Sequence, residues 1–197
     1  MKKVLVVNAS PHKSEGVVGE ALGLLIENLK ASRCFEIEVF YTQQQNVAPC
    51  TGCMSCRVCS SCNYRQDDSQ VFVAELQNCD ILIIGMPTYW ANMPGTLKVL
   101  LDRIVYALIR KDEKCMIPVP LHKGKKMVVI TTCSTPKPLN FLFRQSTGAL
   151  SAVKRIFKIS GFRICGTLQI AGTCRGYVLN DRMRKKISCI AGKLLRS

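Results

Sequence analysis

The hydrophobic positions of the chain fall into runs that predict five strands. Continuous apolar runs at 4–9, 81–86 and 127–132 are typical of central strands that are buried on both faces of a sheet. The segment 35–41 alternates glutamates with apolar residues, and 162–171 is again largely apolar. We therefore predict strands at all five positions.

Helical spacing of apolar residues separates these runs. Ala21, Leu25 and Leu29 recur four residues apart, which places them on one face of a helix. Pro94 suits the first turn of a later helix. The predicted helices span 17–29, 70–76, 94–109, 141–159 and 180–195.

Strands and helices alternate five times, which indicates a parallel sheet covered on both faces. Five such units in a chain of 197 residues predict a single α/β domain with a flavodoxin-like doubly wound sheet of strand order 2-1-3-4-5. In such sheets a ligand binds beyond the carboxyl ends of the strands, where the strand order reverses. The loops expected at that site are 10–18, 87–94 and 132–138.

Composition and charge limit the possible environments and partners. No apolar run approaches the roughly 18 residues of a membrane span, and the run from Val4 ends at Asn8, too early for a signal peptide. We therefore expect a cytoplasmic protein. The net charge of +15 favours anionic partners such as phosphorylated cofactors or acidic proteins, and without a recognition motif it does not favour nucleic acid. Of the two histidines, His122 is expected on a surface loop.

The loop after the first strand is a candidate anion-binding site. Its backbone N–H groups precede a helix, whose dipole also favours negative charge. Side chains in the loop add hydroxyl donors and positive charge. The alternative is a plain polar turn in which Ser14 caps the helix. The candidate phosphate contacts are Ser10, His12, Lys13, Ser14, Gly16, Val17 and Val18.

The loop after the third strand offers flat apolar surfaces. Tyr89 and the single tryptophan, Trp90, are adjacent there, and backbone polar groups with Asn92 can pair with the edge of a heteroaromatic ring. Alternatively, both aromatic residues close the core beneath the next helix. The candidate ring contacts are Pro87, Thr88, Tyr89, Trp90, Ala91, Asn92 and Met93.

The segment 85–98, followed by Leu101-Asp102-Arg103, resembles the NADPH-dependent FMN reductase family, whose motif has Pro, an aromatic residue, Asn and a later Asp-Arg. Asn8-Ala9-Ser10-Pro11 resembles the phosphate loop of that family. The resemblance implies FMN phosphate at 10–18 and the isoalloxazine at 87–93, with Thr132, Cys133 and Ser134 near the other edge of the ring.

The first loop departs from the family pattern at two places. His12 stands where the family usually has Arg, and Gly16-Val17 stands where Asn and Thr or Ser are usual. Two hydrogen bonds to phosphate are thereby lost, each worth about 1.5–3 kcal/mol with a charged acceptor. We therefore expect FMN to bind more weakly than in typical members.

Of the twelve cysteines, five recur at every third residue within a polar insertion at about 46–66. Four of them read C-x₂-C-x₂-C-x₅-C, a spacing that resembles the iron–sulfur flavoproteins and would suit a [4Fe–4S] cluster. Zinc and metal-free thiols are the alternatives, and Cys59 could replace Cys62 as fourth ligand. The predicted metal ligands are Cys50, Cys53, Cys56 and Cys62. Four cysteines elsewhere, Cys34, Cys79, Cys165 and Cys189, are expected to be small buried hydrophobes.

These observations predict an FMN-dependent NAD(P)H oxidoreductase that passes electrons to a quinone, a flavin or an acidic ferredoxin-like carrier. The flavin would carry the chemistry, so no catalytic side chain is assigned. The alternatives are a non-enzymatic electron-transfer flavoprotein module, or a thiol or metal sensor with a degraded flavin site. The resemblance further implies a homodimer or homotetramer.

Overall fold

The computed structural model describes residues 1–110, 117–174 and 176–196. Its main sheet has five parallel strands in the order β2-β1-β3-β6-β7. These are the five strands predicted from the sequence, in the predicted order, and they confirm the doubly wound sheet. The strands are β1 (Lys2–Asn8), β2 (Phe35–Tyr41), β3 (Ile81–Pro87), β6 (Lys126–Cys133) and β7 (Arg163–Ala171).

Helices cover both faces of this sheet. Because successive strand residues point to opposite faces, Val4 and Val6 pack with α1 and α8, whereas Leu5 and Val7 pack with the helices of the other face. The helices are α1 (Val17–Lys30), α2 (Cys56–Cys59), α3 (Asp68–Asn78), α4 (Gly95–Arg103), α5 (Val105–Leu108), α6 (Lys137–Leu142), α7 (Gln145–Ile159) and α8 (Asp181–Leu195). No helix in the described part of the chain has the length and apolarity needed to cross a bilayer.

Two predicted helices are each divided in the structure. The helix expected at 94–109 ends at Arg103, and Ile109 instead pairs with Pro120 in a small antiparallel sheet of β4 (Ile109–Arg110) and β5 (Val119–Pro120). The helix expected at 141–159 is interrupted at Arg144, whose φ is +51°. Apolar spacing continues across both breaks, so periodicity could not locate them.

The predicted surface position of His122 is wrong. The residue is 2% exposed, its ring stacks on Phe162, and its Nε2 lies 2.8 Å from the carbonyl oxygen of Ala107. The short β4–β5 sheet brings the histidine inward against the end of α5. A two-residue strand pair of this kind gives too short a pattern to recognise in the sequence.

Of the four cysteines expected to be buried, only Cys79 is. Cys34 and Cys189 are exposed and Cys165 is half-buried. Burial raises the pKa of the Cys79 thiol to about 11, which keeps it protonated and inert. Cys34 follows the turn after α1, and Cys189 lies on the exposed side of α8.

Candidate functional site

The loop after β1 is organised by Asn8, the last residue of the strand. Its side-chain Nδ2 donates to the carbonyl of Lys13 at 2.9 Å, and its Oδ1 accepts from the backbone N–H of Ser10 at 2.9 Å. The hydroxyl of Ser10, which is buried, accepts from the backbone N–H of His12 at 3.2 Å. The loop is therefore shaped before any ligand arrives. Sequence reasoning did not assign this role to Asn8, although an Asn two residues before a turn is a known signal for such bonds.

The loop leads into a helix end that carries no side-chain cap. The N-cap of α1 is Gly16, and no side chain in the described part of the chain bonds to the N–H groups at this helix end. The alternative in which Ser14 caps the helix is therefore wrong. The first N–H groups of a helix lack partners within the helix, and here they remain available to an anion. A Cβ on Gly19 would lie 2.4 Å from the carbonyl oxygens of Lys13 and Ser14, which shows how closely the loop wraps this helix end.

The predicted phosphate contacts are divided between the surface and the core. His12, Lys13 and Ser14 are exposed around the helix end, and Gly16 and Val17 are half-buried. Val18 packs in the core, so its side chain is not available to a ligand and only its backbone is.

The aromatic loop after β3 forms a tight turn with a strained backbone. The N–H and C=O groups of Tyr89 and Asn92 bond to each other at 3.0 and 2.9 Å, and Trp90 and Ala91 between them have φ of +50° and +56°. Two positive φ values are typical of a type I′ turn, which normally selects Asn and Gly. For other residues this conformation costs about 1–2 kcal/mol each. Strain of this size in a loop is a common property of functional sites.

The turn presents its tryptophan to solvent. The side chain of Trp90 is 97% exposed and that of Tyr89 is 46% exposed, so neither closes the core as the alternative required. Met93 is buried in the core, and only its backbone can reach a ligand. A strained turn that displays a tryptophan without packing it fits a surface made to contact another molecule.

Neighbouring elements hold this turn in place. A Cβ on Gly148 of α7 would lie 2.4 Å from the carbonyl oxygen of Ala91, so only glycine allows the turn to approach that helix so closely. The backbone N–H of Thr88 donates to Thr132 at 2.8 Å, and its hydroxyl lies 3.0 Å from that of Thr131. The aromatic loop is thereby fixed to the end of β6.

The three predicted loops start from adjacent strand ends. The N–H of Ala9 donates to Gly85 at 2.9 Å between the first two loops, and β3 pairs with β6 up to Thr132. In the third loop Thr132 and Cys133 are buried, whereas Ser134 is exposed. The structure thus brings the starts of all three loops side by side at the carboxyl edge of the sheet.

This edge of the sheet suits a phosphorylated planar molecule. The helix end with free N–H groups and the exposed Lys13 provide for an anion, and the aromatic turn provides a flat surface for a ring. The residues present therefore fit FMN, with the two departures from the family pattern described above.

The cysteine cluster, defined here as Cys50, Cys53, Cys56 and Cys62, lines a cavity of about 100 Å³. Burial raises the pKa of the Cys56 thiol, and electrostatic repulsion from Cys62, Cys50 and Cys53 raises it further. Hydrogen bonds from Ser55 and Thr51 lower the pKa of Cys53. Cys59 is exposed at the end of α2 and is not among the residues that line the cavity.

The cysteine cluster lines a cavity, but its side chains do not form a ready-made site for a single metal ion in the described structure. Within residues 1–110, 117–174 and 176–196, no three or more His, Cys, Asp or Glu side chains converge closely enough to hold one metal ion. A single zinc needs four donors within about 2.3 Å of its centre, whereas a four-iron cluster keeps its thiolates further apart. The four thiols therefore share a cavity but do not form a ready-made single-metal site among the described residues.

The cysteine loop, residues 49–66, is closed at its base by two aspartates. Asp67 Oδ2 accepts from the N–H of Ala48 at 3.0 Å, and Asp68 Oδ2 accepts from the N–H of Asn46 at 2.6 Å. Burial opposes ionisation of Asp67, but bonds from Ser69 and Ala48 and the charge of Arg103 outweigh it, so its pKa is lowered. The loop therefore leaves and rejoins the domain at a fixed point.

The base of the loop also contains a residue whose role was not predicted. Arg103 was noted in the sequence only as part of a family motif. In the structure its side chain is 1% exposed, and it bonds to both Cys62 and Asp67. No local pattern could have shown that an arginine at the end of α4 lies beneath a loop some forty positions earlier in the chain.

Comparisons with known proteins agree with this geometry. A family model described as having the flavodoxin-like fold matches residues 2–187. An iron–sulfur flavoprotein of Clostridioides difficile is 24% identical over 193 residues, which cover 98% of this chain and 77% of the relative. An FMN-dependent NADH:quinone oxidoreductase of Metamycoplasma arthritidis is 27% identical over 182 residues, which cover 88% of this chain and 87% of the relative.

The chain spans about half the length of other iron–sulfur flavoproteins, 56% for that of Methanosarcina thermophila and 48% for one of Archaeoglobus fulgidus. Among solved structures, an FMN-dependent NADH-azoreductase of Bacillus anthracis in complex with FMN superimposes with a TM-score of 0.77. The superposition covers 98% of this chain and 99% of the azoreductase chain. At 18% identity this likeness shows a shared fold.

Proposed function

The chain belongs to the family with the flavodoxin-like fold, and from this membership we propose that it is an FMN-dependent NAD(P)H oxidoreductase. The observation that carries the proposal is that an uncapped helix end and an exposed aromatic turn follow neighbouring strands, β1 and β3, at the carboxyl edge of the sheet. Relatives named for FMN-dependent NADH oxidation and for iron–sulfur flavoproteins support it. The acceptor would be a quinone, another flavin or an acidic one-electron carrier.

In this proposal the chain binds and orients FMN, and FMN supplies hydride and single-electron transfer when bound. The loop at 10–18 holds the phosphate through backbone N–H groups, Ser14 and Lys13. The loop at 87–93 would hold the ring, with Trp90 and Asn92 as its contacts, and Ser134 would contact its other edge. No side chain of the chain is assigned a proton transfer.

We further propose that Cys50, Cys53, Cys56 and Cys62 hold a [4Fe–4S] cluster. The four thiols share one cavity from which Cys59 is absent, and their spacing resembles that of the iron–sulfur flavoproteins. A cluster would allow electrons to leave one at a time. The net charge of +15 would attract an acidic carrier over several ångströms at low salt.

The test begins with protein purified without oxygen. We expect a visible spectrum with flavin and iron–sulfur absorption, saturable binding of added FMN, and bleaching of the flavin when NADH or NADPH is mixed in a stopped-flow instrument. Absence of saturable FMN uptake would contradict the proposed cofactor. Reduction by ferredoxin but not by either nicotinamide would instead identify an electron-transfer module. Metal binding by the cysteine cluster without FMN uptake would identify a sensor.

A Gly19→Ala variant provides the matched control for FMN uptake. The added Cβ would meet the backbone of Lys13 and Ser14 at 2.4 Å and displace the phosphate loop. The cysteine loop belongs to a different segment of the chain, after β2. We therefore expect the variant to lose FMN while keeping iron, and equal loss of both would indicate general misfolding.

A further inference from the structure

Arg103, the last residue of α4, lies beneath the cysteine loop and is almost completely buried. Its Nη1 donates to the sulfur of Cys62 at 2.8 Å. Its Nη2 donates to the carbonyl of Arg65 at 2.8 Å and to Asp67 Oδ2 at 3.1 Å. One guanidinium therefore connects the helix, the fourth thiol of the cysteine cluster and the end of the loop that carries it.

The ion pair with Asp67 alone does not explain why this guanidinium is buried beneath the cysteine loop. Its Nε is buried and has no hydrogen-bond partner in the described residues, and its charge lies 5.4 Å from the ring centre of Tyr64. A buried charge is costly unless each donor is satisfied. Directing one donor at a sulfur is favourable when that sulfur carries negative charge, as a metal-bound thiolate does.

The contact also distinguishes the two candidates for the fourth ligand. Cys62 is half-buried and held by Arg103, whereas Cys59 is exposed beyond the cavity. A side chain fixed by a charged hydrogen bond loses less freedom when it ligates than one that moves in solvent. The arginine therefore selects Cys62.

We propose that Arg103 is the positioning residue of the cysteine cluster, which fixes Cys62 as the fourth ligand and raises the reduction potential of the iron–sulfur cluster held there. The inference rests on the proposed cluster. Added electrons make such a cluster more negative, and hydrogen bonds and positive charge at its sulfurs favour the reduced form. Because Asp67 lies on the other side of the guanidinium, the pair directs its positive end at Cys62.

Two variants separate this role from simple support of the fold. Arg103→Lys keeps the charge but loses the planar fork. Arg103→Met combined with Asp67→Asn removes both members of the ion pair, so that neither charge is left buried alone. Asp67 is the N-cap of α3, where its side chain accepts from the N–H of Ser69, and Asn is an equally good N-cap residue. Arg184→Met combined with Glu20→Gln is the matched control, because it removes another arginine–carboxylate pair, at 2.6 Å, between α1 and α8.

The experiment measures iron content and the cluster's midpoint potential, by redox titration followed with electron paramagnetic resonance, in protein loaded without oxygen. Circular dichroism checks that each variant is folded. We expect the Arg103→Met/Asp67→Asn variant to hold less iron and to show a lower midpoint potential. The Arg103→Lys variant should lie between it and wild type, and the Arg184→Met/Glu20→Gln variant should match wild type.

Iron content and potential equal to wild type in the Arg103→Met/Asp67→Asn variant would overturn this inference alone. A wild-type protein that takes up no iron would overturn the proposed cluster and this inference with it. A lowered potential in the Arg184→Met/Glu20→Gln variant as well would also overturn it, since the effect would then not depend on contact with Cys62.

Discussion

The two histidines of the chain occupy opposite environments at the scale of single residues. His12 is exposed in the loop after β1, and His122 is buried against Phe162. A carbonyl oxygen can only accept, so the Nε2 of His122 carries the proton that bonds Ala107, and Nδ1 is left without a partner in the described structure. Burial lowers the pKa of His122, and the positive charge of Lys125 adds to this effect.

Acid should therefore destabilise the fold through His122. Above its ordinary pKa of 6.5 both folded and unfolded states are neutral, and the stability is fully present. As pH falls below that value only the unfolded state takes up a proton, so the free energy of unfolding decreases by at most about 1.4 kcal/mol per pH unit. Urea unfolding at pH 7.5 and 5.5 should show a smaller decrease for His122→Gln than for wild type. The same decrease in His122→Gln as in the control variant His12→Gln would contradict this assignment.

Two helix glycines make a matched pair at the same scale. Gly148 faces the carbonyl of Ala91, whereas Gly23 of α1 has nothing within 4 Å of the place where a Cβ would lie. Gly148→Ala should displace the aromatic turn and weaken FMN binding roughly tenfold, about 1.4 kcal/mol. Gly23→Ala should leave FMN binding unchanged and stabilise the fold by about 1 kcal/mol, because alanine is the better helix former. Titration of FMN and thermal unfolding of both variants test this, and normal FMN affinity in Gly148→Ala would contradict it.

At the scale of elements, the turn at Trp90 and Ala91 combines an unfavourable backbone with an exposed aromatic ring. Asn-Gly is the sequence that a type I′ turn prefers. The combined change Trp90→Asn and Ala91→Gly should therefore stabilise the ligand-free protein by about 1–2 kcal/mol. The same change removes the flat surface proposed for the isoalloxazine, so FMN affinity should fall.

The expected result is that the stability of the ligand-free protein rises while its affinity for FMN falls. Thermal unfolding without FMN gives the first, and FMN titration gives the second. Ala91→Gly alone is the control, because it relieves strain and keeps the tryptophan, so it should gain stability without the full loss of affinity. Unchanged FMN binding in the Trp90→Asn/Ala91→Gly variant would show that Trp90 does not contact the ring.

The elements also show what could be predicted from the sequence. The central strands gave continuous apolar runs, and their alternation with helical patterns indicated a doubly wound parallel sheet. The end of α5 before Ile109 and the burial of His122 accompany the β4–β5 pairing, which spans only two residues on each side. Which thiols share a cavity, and the position of Arg103 beneath them, depend on contacts between distant segments and could not be found from local spacing.

For the whole molecule, one apolar surface favours association between copies of the chain, whereas the net charge opposes it. The apolar patch, defined here as Leu139, Phe141, Leu142 and Phe143, extends over α6 and the residue after it, and Phe141 is 84% exposed. Contiguous apolar surface of this kind commonly marks an interface. The homodimer or homotetramer that the family resemblance implies would bury it, while a charge of +15 on each copy repels the partner.

Association should therefore strengthen as salt is added. Salt screens the repulsion over a distance of about 10 Å at 0.1 M, but it does not weaken burial of the apolar patch. Sedimentation velocity at low and moderate salt should show a larger oligomeric fraction at the higher concentration. Phe141→Ser combined with Leu142→Ser should give a monomer at both salt concentrations, because these side chains are exposed and their loss leaves the core intact. Val71→Ser, which removes an exposed apolar residue on α3, should behave as wild type. An oligomer that dissociates on adding salt would instead indicate an interface made of ion pairs, and it would assign the apolar patch no part in assembly.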